Sequence, residues 1–299
     1  MAASQNSVIK TDRELQGKIR LHLGLSTRML TLTILAIFVS IIFIIPALWI
    51  LVDSFRPNLE IMSTMTPLSW RLIIPSTITA ENYLGLLLTG GFGVALRNSL
   101  FVCLTSVAAG LLVSAMAAYA LAVLNFRGRD AIFAIIVVSF MVPFEAIAIP
   151  LSQLFTDWGL GNTFLGLILP GIGNGLAVFN LRQFFRGIPR SYKEAAMIDG
   201  ASEPHILFSL YMGMSGPALT NSGLLIFLSQ WTAYLWPLLV VTDNALQVAP
   251  VALARTFGEH SASYGENFAG AILLSLVPAI SMLILQKSFG GFSLSSGEK

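Results

Sequence analysis

Residues 189–217 read PRSYKEAAMIDGASEPHILFSLYMGMSGP, a charged and polar island between two long apolar runs. Arg182, Arg186, Arg190 and Lys193 crowd its entrance. Ser191 and, three residues on, Glu194 form a capping-box pattern. The Ser hydroxyl can accept from the backbone N–H of Glu194, and the Glu side chain can reach back to the N–H of Ser191. Gly200 stands where a short helix needs a left-handed closing residue. The pattern predicts about two helical turns over Tyr192–Asp199. Ser202 can cap a second helix that tolerates Pro204 in its first turn. Ala195 and Ala196 permit close backbone approach, and Glu194 offers charge to a cationic partner. Met197 and Ile198 would be exposed beside them, which asks for something to cover them. An amphipathic surface loop with a good cap is the alternative reading.

The flanking chain belongs in a membrane. It is 55% hydrophobic and 11% charged, with a mean hydropathy of +0.78, where a soluble domain carries about 25% charged residues. Apolar runs approach or exceed the roughly 20 residues a bilayer span requires. The expected architecture is an all-α polytopic protein with six spans at 29–52, 95–124, 131–155, 163–181, 217–241 and 268–286. A polar segment 1–28 precedes them, the loop 182–216 lies between the fourth and fifth, and a tail 287–299 follows. The first apolar run is too long for a signal-peptide core and lacks a small-residue cleavage site, so it is read as a retained span. Thirteen Lys and Arg residues fall on one side of this arrangement and four, Arg56, Arg71, Arg97 and Arg255, on the other. The positive-inside bias places both termini and the 182–216 loop in the cytoplasm.

The spans are interrupted in informative places. Pro46 predicts a kink in the first. Ser114, Ala115, Ala117 and Ala118 suit close helix packing in the second. Pro143 and Pro150 break the third, with Glu145 between them. That carboxylate either lines a polar pathway or sits solvated near the outer interface. Pro170, Gly171, Gly173, Asn174 and Gly175 predict an unwound midsection in the fourth, tolerated where backbone lines a cavity. The fifth carries Asn221, Gln230 and Tyr234, amide and aromatic groups that suit saccharide stacking and hydrogen bonding; an interfacial aromatic belt is the alternative, preferred for Trp236-Pro237. Residues 53–94 and 242–267 are read as outer loops. Cys103, in an apolar run, is read as a packed core thiol.

The motif EAAMIDGA at 194–201 resembles the EAA loop of ABC importer permeases, maltose-type (carbohydrate) family. Glu194, Ala195, Ala196, Asp199 and Gly200 match that pattern, whereas Met212-Gly213 stands where Leu-Pro is usual. Further likenesses are DSFRP at 53–57, Ala118-Tyr119-Ala120-Leu121-Ala122 followed by Phe126-Arg127-Gly128, and Leu181-Arg182-Gln183-Phe184-Phe185 before the loop. Trp231-Thr232-Ala233-Tyr234 replaces the family's Trp-Asn-Asp-Phe, so no role of the missing Asn-Asp carries over. The resemblance implies a type I importer permease of the bacterial inner membrane whose EAA coupling helix docks on a cytoplasmic ATPase. It also implies a second homologous permease, paired ATPase subunits that bind ATP and Mg, an extracytoplasmic solute-binding protein, and a carbohydrate substrate. No nucleic acid is implied. The pathway candidates are Glu145, Asn174, Asn221, Gln230 and Tyr234.

Chemistry on this chain itself is not expected. The sequence holds no G-x-x-x-x-G-K-[ST] loop and no HExxH or CxxC pattern, and His22, His205 and His260 are scattered. No catalytic residue, cofactor or metal is assigned to it. The competing readings are an ion-coupled secondary carrier, which needs several intramembrane ionisable groups where only Glu145 offers itself, and a membrane scaffold.

Overall fold

The computed structural model describes residues 29–65, 74–259 and 263–289. The expected segment 1–28 and tail residues 290–299 lie outside them. Among the described residues the chain is helical throughout, with no strand. Four helices are long and apolar enough to cross a membrane, or five if a bent pair counts as one span.

Helix α1, Met29–Asp53, runs unbroken through Pro46. Its residues 29–49 are exposed within the single chain, as an all-round apolar helix facing lipid or another subunit would be. The polar loop expected next is instead folded. It contains α2 (Asn58–Met65), α3 (Glu81–Leu84) and a π-helical turn over Gly85–Thr89. Asp53, Ser54 and Arg56 are fully buried at its start. Arg56 Nη1 donates to Asp53 Oδ1 at 2.7 Å, and Asn82 Nδ2 donates to the carbonyls of Ser54 and Arg56. Paired burial of the ions offsets part of their desolvation cost. Composition alone reads such a segment as exposed.

Helix α4, Phe92–Val123, is the central element. It packs against helices α7 (Phe164–Ile172), α8 (Gly175–Gly187), α12 (Gly216–Trp231) and α14 (Ala249–Glu259). Small residues permit this: Ala115 and Ala118 are fully buried, and a Cβ on Gly110 would meet Ile226 Cδ1 at 3.1 Å. Cys103 is buried in the same packing. The third expected span is a bent pair, α5 (Arg129–Ser139) and α6 (Phe144–Asp157), turned by 97° at Phe140–Pro143. The fourth is divided at Gly173–Asn174 between α7 and α8. The fifth divides at Thr232–Tyr234 between α12 and α13 (Leu235–Val240). The region 242–267, expected to be a loop, holds α14, whose Ala249, Val251 and Leu253 are buried. Asn98 and Ser99 of α4 fasten its entrance by bonding to backbone at Ala245, Gln247 and Ala249. The last helix, α15, spans Tyr264–Phe289.

On the side of the 182–216 loop, Arg182 ties three elements together. Its Nε donates to Leu121 O at 3.1 Å, its Nη2 lies 3.3 Å from Asp130 Oδ1, and its guanidinium sits 3.6 Å from the Phe133 ring centroid.

Candidate functional site

The three interruptions meet around one cavity of about 660 Å³. Its wall includes Phe144 and Glu145 from the bend of the α5–α6 pair, Gly171 and Asn174 from the α7–α8 break, and Ser229, Gln230, Thr232, Tyr234 and Trp236 from the α12–α13 break. Each break has a local cause. Pro143 is extended, with φ −59° and ψ 130°, and starts α6 afresh. Asn174 is extended, and its side chain accepts from Ala177 N at 2.9 Å, so it ends one helix and caps the next. Gln230 Nε2 donates to Ser106 Oγ of α4 at 2.9 Å, and a Cβ on Gly171 would lie 2.2 Å from that same nitrogen. Only glycine lets the α7 backbone pass Gln230 this closely.

Glu145, Asn174, Gln230 and Tyr234, proposed from four separate places in the sequence, thus share one wall. Asn221 is not part of it. Its neighbour Ser222 instead accepts a bond from Asn180 Nδ2 at 2.8 Å between α12 and α8. Among the described residues Glu145 makes no hydrogen bond or ion pair, and it is exposed to the cavity in the first turn of α6. The amides are oriented by helix caps and cross-helix bonds, and the hydroxyls and aromatic rings lie beside them. Such a surface can hold a polyhydroxylated solute. Trp236 departs from the interfacial belt expected of it. It is 5% exposed, stacks edge-on against Phe155 and Phe144, and donates from Nε1 to Gly166 O. A buried indole that finds a backbone acceptor is a packing element whose edge reaches the cavity.

The second region is the loop 182–216. Helix α9 spans Arg190–Ile198, one to two residues ahead of expectation, and the capping box does not form. Pro189 takes the extended cap conformation, so Ser191 is already inside the first turn and cannot cap from there. The C-terminal signal is realised. Gly200 has φ +81°, its N–H donates to Met197 O, and Ala201 N donates to Ala196 O at 2.9 Å. These two bonds make a Schellman closure. A second helical stretch follows through α10 (Glu203–His205), a π-helical turn over Ile206–Tyr211, and α11 (Met212–Met214). Ser202 occupies its cap position without a side-chain cap bond. The chain bends at Ser215, whose Oγ donates to Tyr211 O, before α12 begins.

Glu194, Ala195, Asp199 and Gly200 are exposed, and Ala196 packs partly on the core beneath. Ile198 is 87% exposed and Met197 54%. The opposite face of the loop is anchored. Lys193 Nζ lies 2.7 Å from Glu203 Oε1, and the hydroxyl of Tyr119, on α4, donates to Glu203 Oε2. The bond from Lys193, then that from Tyr119, holds the Glu203 carboxyl below the usual carboxylate range. Tyr119 stacks edge-on with Tyr211, and Tyr211 with Phe185, forming a cluster that joins α4, α8 and the loop. The EAA pattern points to the exposed face; the Lys193–Glu203–Tyr119 anchor had no sequence signal, because Tyr119 lies 84 residues from Glu203.

Residues 110–290 match the family described as binding-protein-dependent transport system inner membrane component. The chain is 34% identical over 254 residues to the arabinooligosaccharides transport system permease protein AraQ of Halalkalibacterium halodurans, covering 85% of this chain and 90% of that one. It is 33% identical over 248 residues to the trehalose transport system permease protein SugB of Mycobacterium tuberculosis, covering 82% and 88%. Its fold superposes with a TM-score of 0.75 and 25% identity on a chain of a bacterial ABC transporter involved in the import of the acidic polysaccharide alginate, covering 87% and 95%. A multi-pass helical chain with these relatives belongs to the family of binding-protein-dependent inner-membrane transport components, the permease subunits of ABC importers.

Proposed function

We propose that this chain is the bacterial inner-membrane permease subunit through which an ATP-driven importer moves a sugar or oligosaccharide. In this reading the α9 face of Glu194, Ala195, Ala196, Asp199 and Gly200 docks on a cytoplasmic ATPase subunit that binds ATP and Mg. A second homologous permease completes the path, and an extracytoplasmic binding protein delivers the solute. Six spans with both termini in the cytoplasm put α9 on the side of ATP, in agreement with the distribution of Lys and Arg.

The observation that carries the reading is the pairing of two unlike surfaces on one helix system. The cavity is lined by the broken ends of three helix pairs, as solute sites at mid-membrane are, and the cytoplasmic face presents Ile198 and Met197 uncovered beside two alanines. Tyr119 at the end of α4 is bonded to the coupling loop through Glu203, while Ser106 of the same helix holds Gln230 at the cavity. A tilt imposed at α9 would therefore reach the cavity through α4.

The test is purification of the chain from its native membrane in mild detergent, followed by ATPase assay with and without loaded binding protein. The expected result is recovery of an ATPase and a second permease, with hydrolysis stimulated by a binding protein carrying a saccharide. Recovery of the chain alone, with no nucleotide-dependent activity, would favour the ion-coupled carrier or the scaffold.

A further inference from the structure

We infer that the cavity selects by charge: it accepts neutral, hydroxyl-rich saccharides and rejects anionic ones, and Glu145 is the residue that sets this preference. The inference rests on the importer reading and narrows its substrate class.

Among the described residues the lining of the cavity carries one carboxylate, Glu145, and no Lys, Arg or His. The remaining polar lining consists of amides and hydroxyls, including Asn174, Gln230, Ser229 and Thr232. An ionised carboxylate only accepts hydrogen bonds, so it matches sugar hydroxyls as donors and repels a uronate, phosphate or sulfonate. Among the described residues no cation lines the cavity, and Glu145 has neither an ion pair nor a hydrogen bond. It lies in the first turn of the 14-residue helix α6, at the bend of the α5–α6 pair. The low-dielectric helical walls around the cavity lengthen the reach of that charge. The aromatic faces of Tyr234 and Phe144 suit the apolar face of a sugar ring and add no charge.

The test reads the potential of the cavity directly, in the whole purified complex. Thr232→Cys places a thiol on its wall, and the native Cys103 is 1% exposed and out of reach. Labelling of this chain is followed by mass with a cationic (trimethylammonioethyl) and an anionic (sulfonatoethyl) methanethiosulfonate. With the ratio of the two rates divided by that for a free thiol in the same buffer, the cationic reagent is expected to be favoured by on the order of tenfold, and Glu145→Gln is expected to bring this normalised ratio close to one. At equal concentration, arabinotriose or trehalose is expected to slow labelling more than trigalacturonate does. A ratio near one with Glu145 present, or one unmoved by Glu145→Gln, overturns the inference. So does protection by the uronate that matches the better neutral saccharide, or protection by none of them. A flat ratio in a complex whose ATPase answers a loaded binding protein sinks this inference alone. Absence of an ATPase from a preparation whose normalised ratio is raised by Glu145 sinks the importer reading and leaves the charge preference of the cavity standing.

Discussion

The cavity and the proposed coupling face of α9 lie on the same set of helices but are built by opposite means. Around the cavity three helix pairs are interrupted, and the polar groups freed there turn inward, with Glu145 left without a partner among the described residues. Beneath that face the helices pack into an aromatic cluster, Lys193 pairs with Glu203 and Arg182 with Asp130, and the Tyr119 hydroxyl donates to Glu203. An interrupted region can change shape at low cost in hydrogen bonds, because breaks already exist. A packed and paired region moves as a body and transmits displacement. In the proposed mechanism deformation falls to the cavity and rigidity to the loop that would act as its lever, and each half of that statement can be broken separately.

The largest effect is expected at the exposed face of the lever. Ala195→Trp, or Glu194→Lys, should abolish solute uptake, by a hundredfold or more if docking is lost, while the chain remains in the membrane at its normal level. Ala195 is exposed, and its side chain is outside the core cluster beneath the loop. Uptake assays alongside quantitation of membrane protein would decide it; normal uptake in either variant removes α9 from the mechanism.

The next effect tests how closely the break in the fourth span is fitted. Gly171→Ala places a Cβ 2.2 Å from Gln230 Nε2 and 2.5 Å from its Cδ. The amide must swing away and give up Ser106, at an expected cost of about 1–3 kcal/mol. Thermal unfolding in detergent measures this. Gln230→Ala should relieve the clash, so the double variant should lose less than the sum of the two single ones. Asn174→Ala should cost about 1 kcal/mol, because it deletes the cap that restarts α8.

Much of this organisation is legible in the sequence where a single residue type imposes a backbone geometry. Pro143, the Gly171–Gly175 run and Gly200 each marked a break or closure that the fold contains. What escaped reading depends on contacts distant in sequence. The burial of Arg56 rests on Asp53 nearby but also on Asn82, and α14 is held by Asn98 and Ser99, about 150 residues away. Both segments look like polar outer loops by composition, because only the fold supplies their partners. Trp236 was misplaced for the same reason: an indole at a helix end looks interfacial until Gly166 O and Phe155 are brought to it. Four of the five pathway candidates share a wall, and Asn221 does not: it lies nine residues before Gln230 in the same unbroken helix α12, about two and a half turns away and on the opposite face.

A smaller and pH-dependent effect is expected at the anchor of the lever. Glu203 carries a depressed folded-state pKa, so its contribution to stability is present above the ordinary carboxylate value and is lost as pH falls through the lower folded value. The pair is partly exposed, with Glu203 45% and Lys193 16% accessible, so its contribution is about 1 kcal/mol or less. Glu203→Gln should therefore lower the melting temperature slightly at neutral pH and should match the unchanged protein once acid has protonated the carboxyl. The more telling readout is the ratio of solute moved to ATP hydrolysed. A loosened anchor lowers that ratio, whereas a purely structural role leaves it unchanged.

The smallest effect separates the two ends of α9 itself. Ser191 reads as a helix cap, yet Pro189 holds that position, no side-chain cap bond forms, and Ser191 is exposed in the first turn. Ser191→Ala should then change stability by less than about 0.5 kcal/mol, as at a surface site without a special role. Gly200 closes the other end with φ +81° and two backbone bonds. Gly200→Ala has open space for its Cβ, so its cost is conformational alone, about 1 kcal/mol for a left-handed residue. Measured side by side in the same complex, the two variants ask which terminus defines the helix. A loss at Ser191 as large as that at Gly200 would mean that the capping box forms in solution and that α9 begins later than Arg190, which would turn Glu194 back toward the loop and away from a partner.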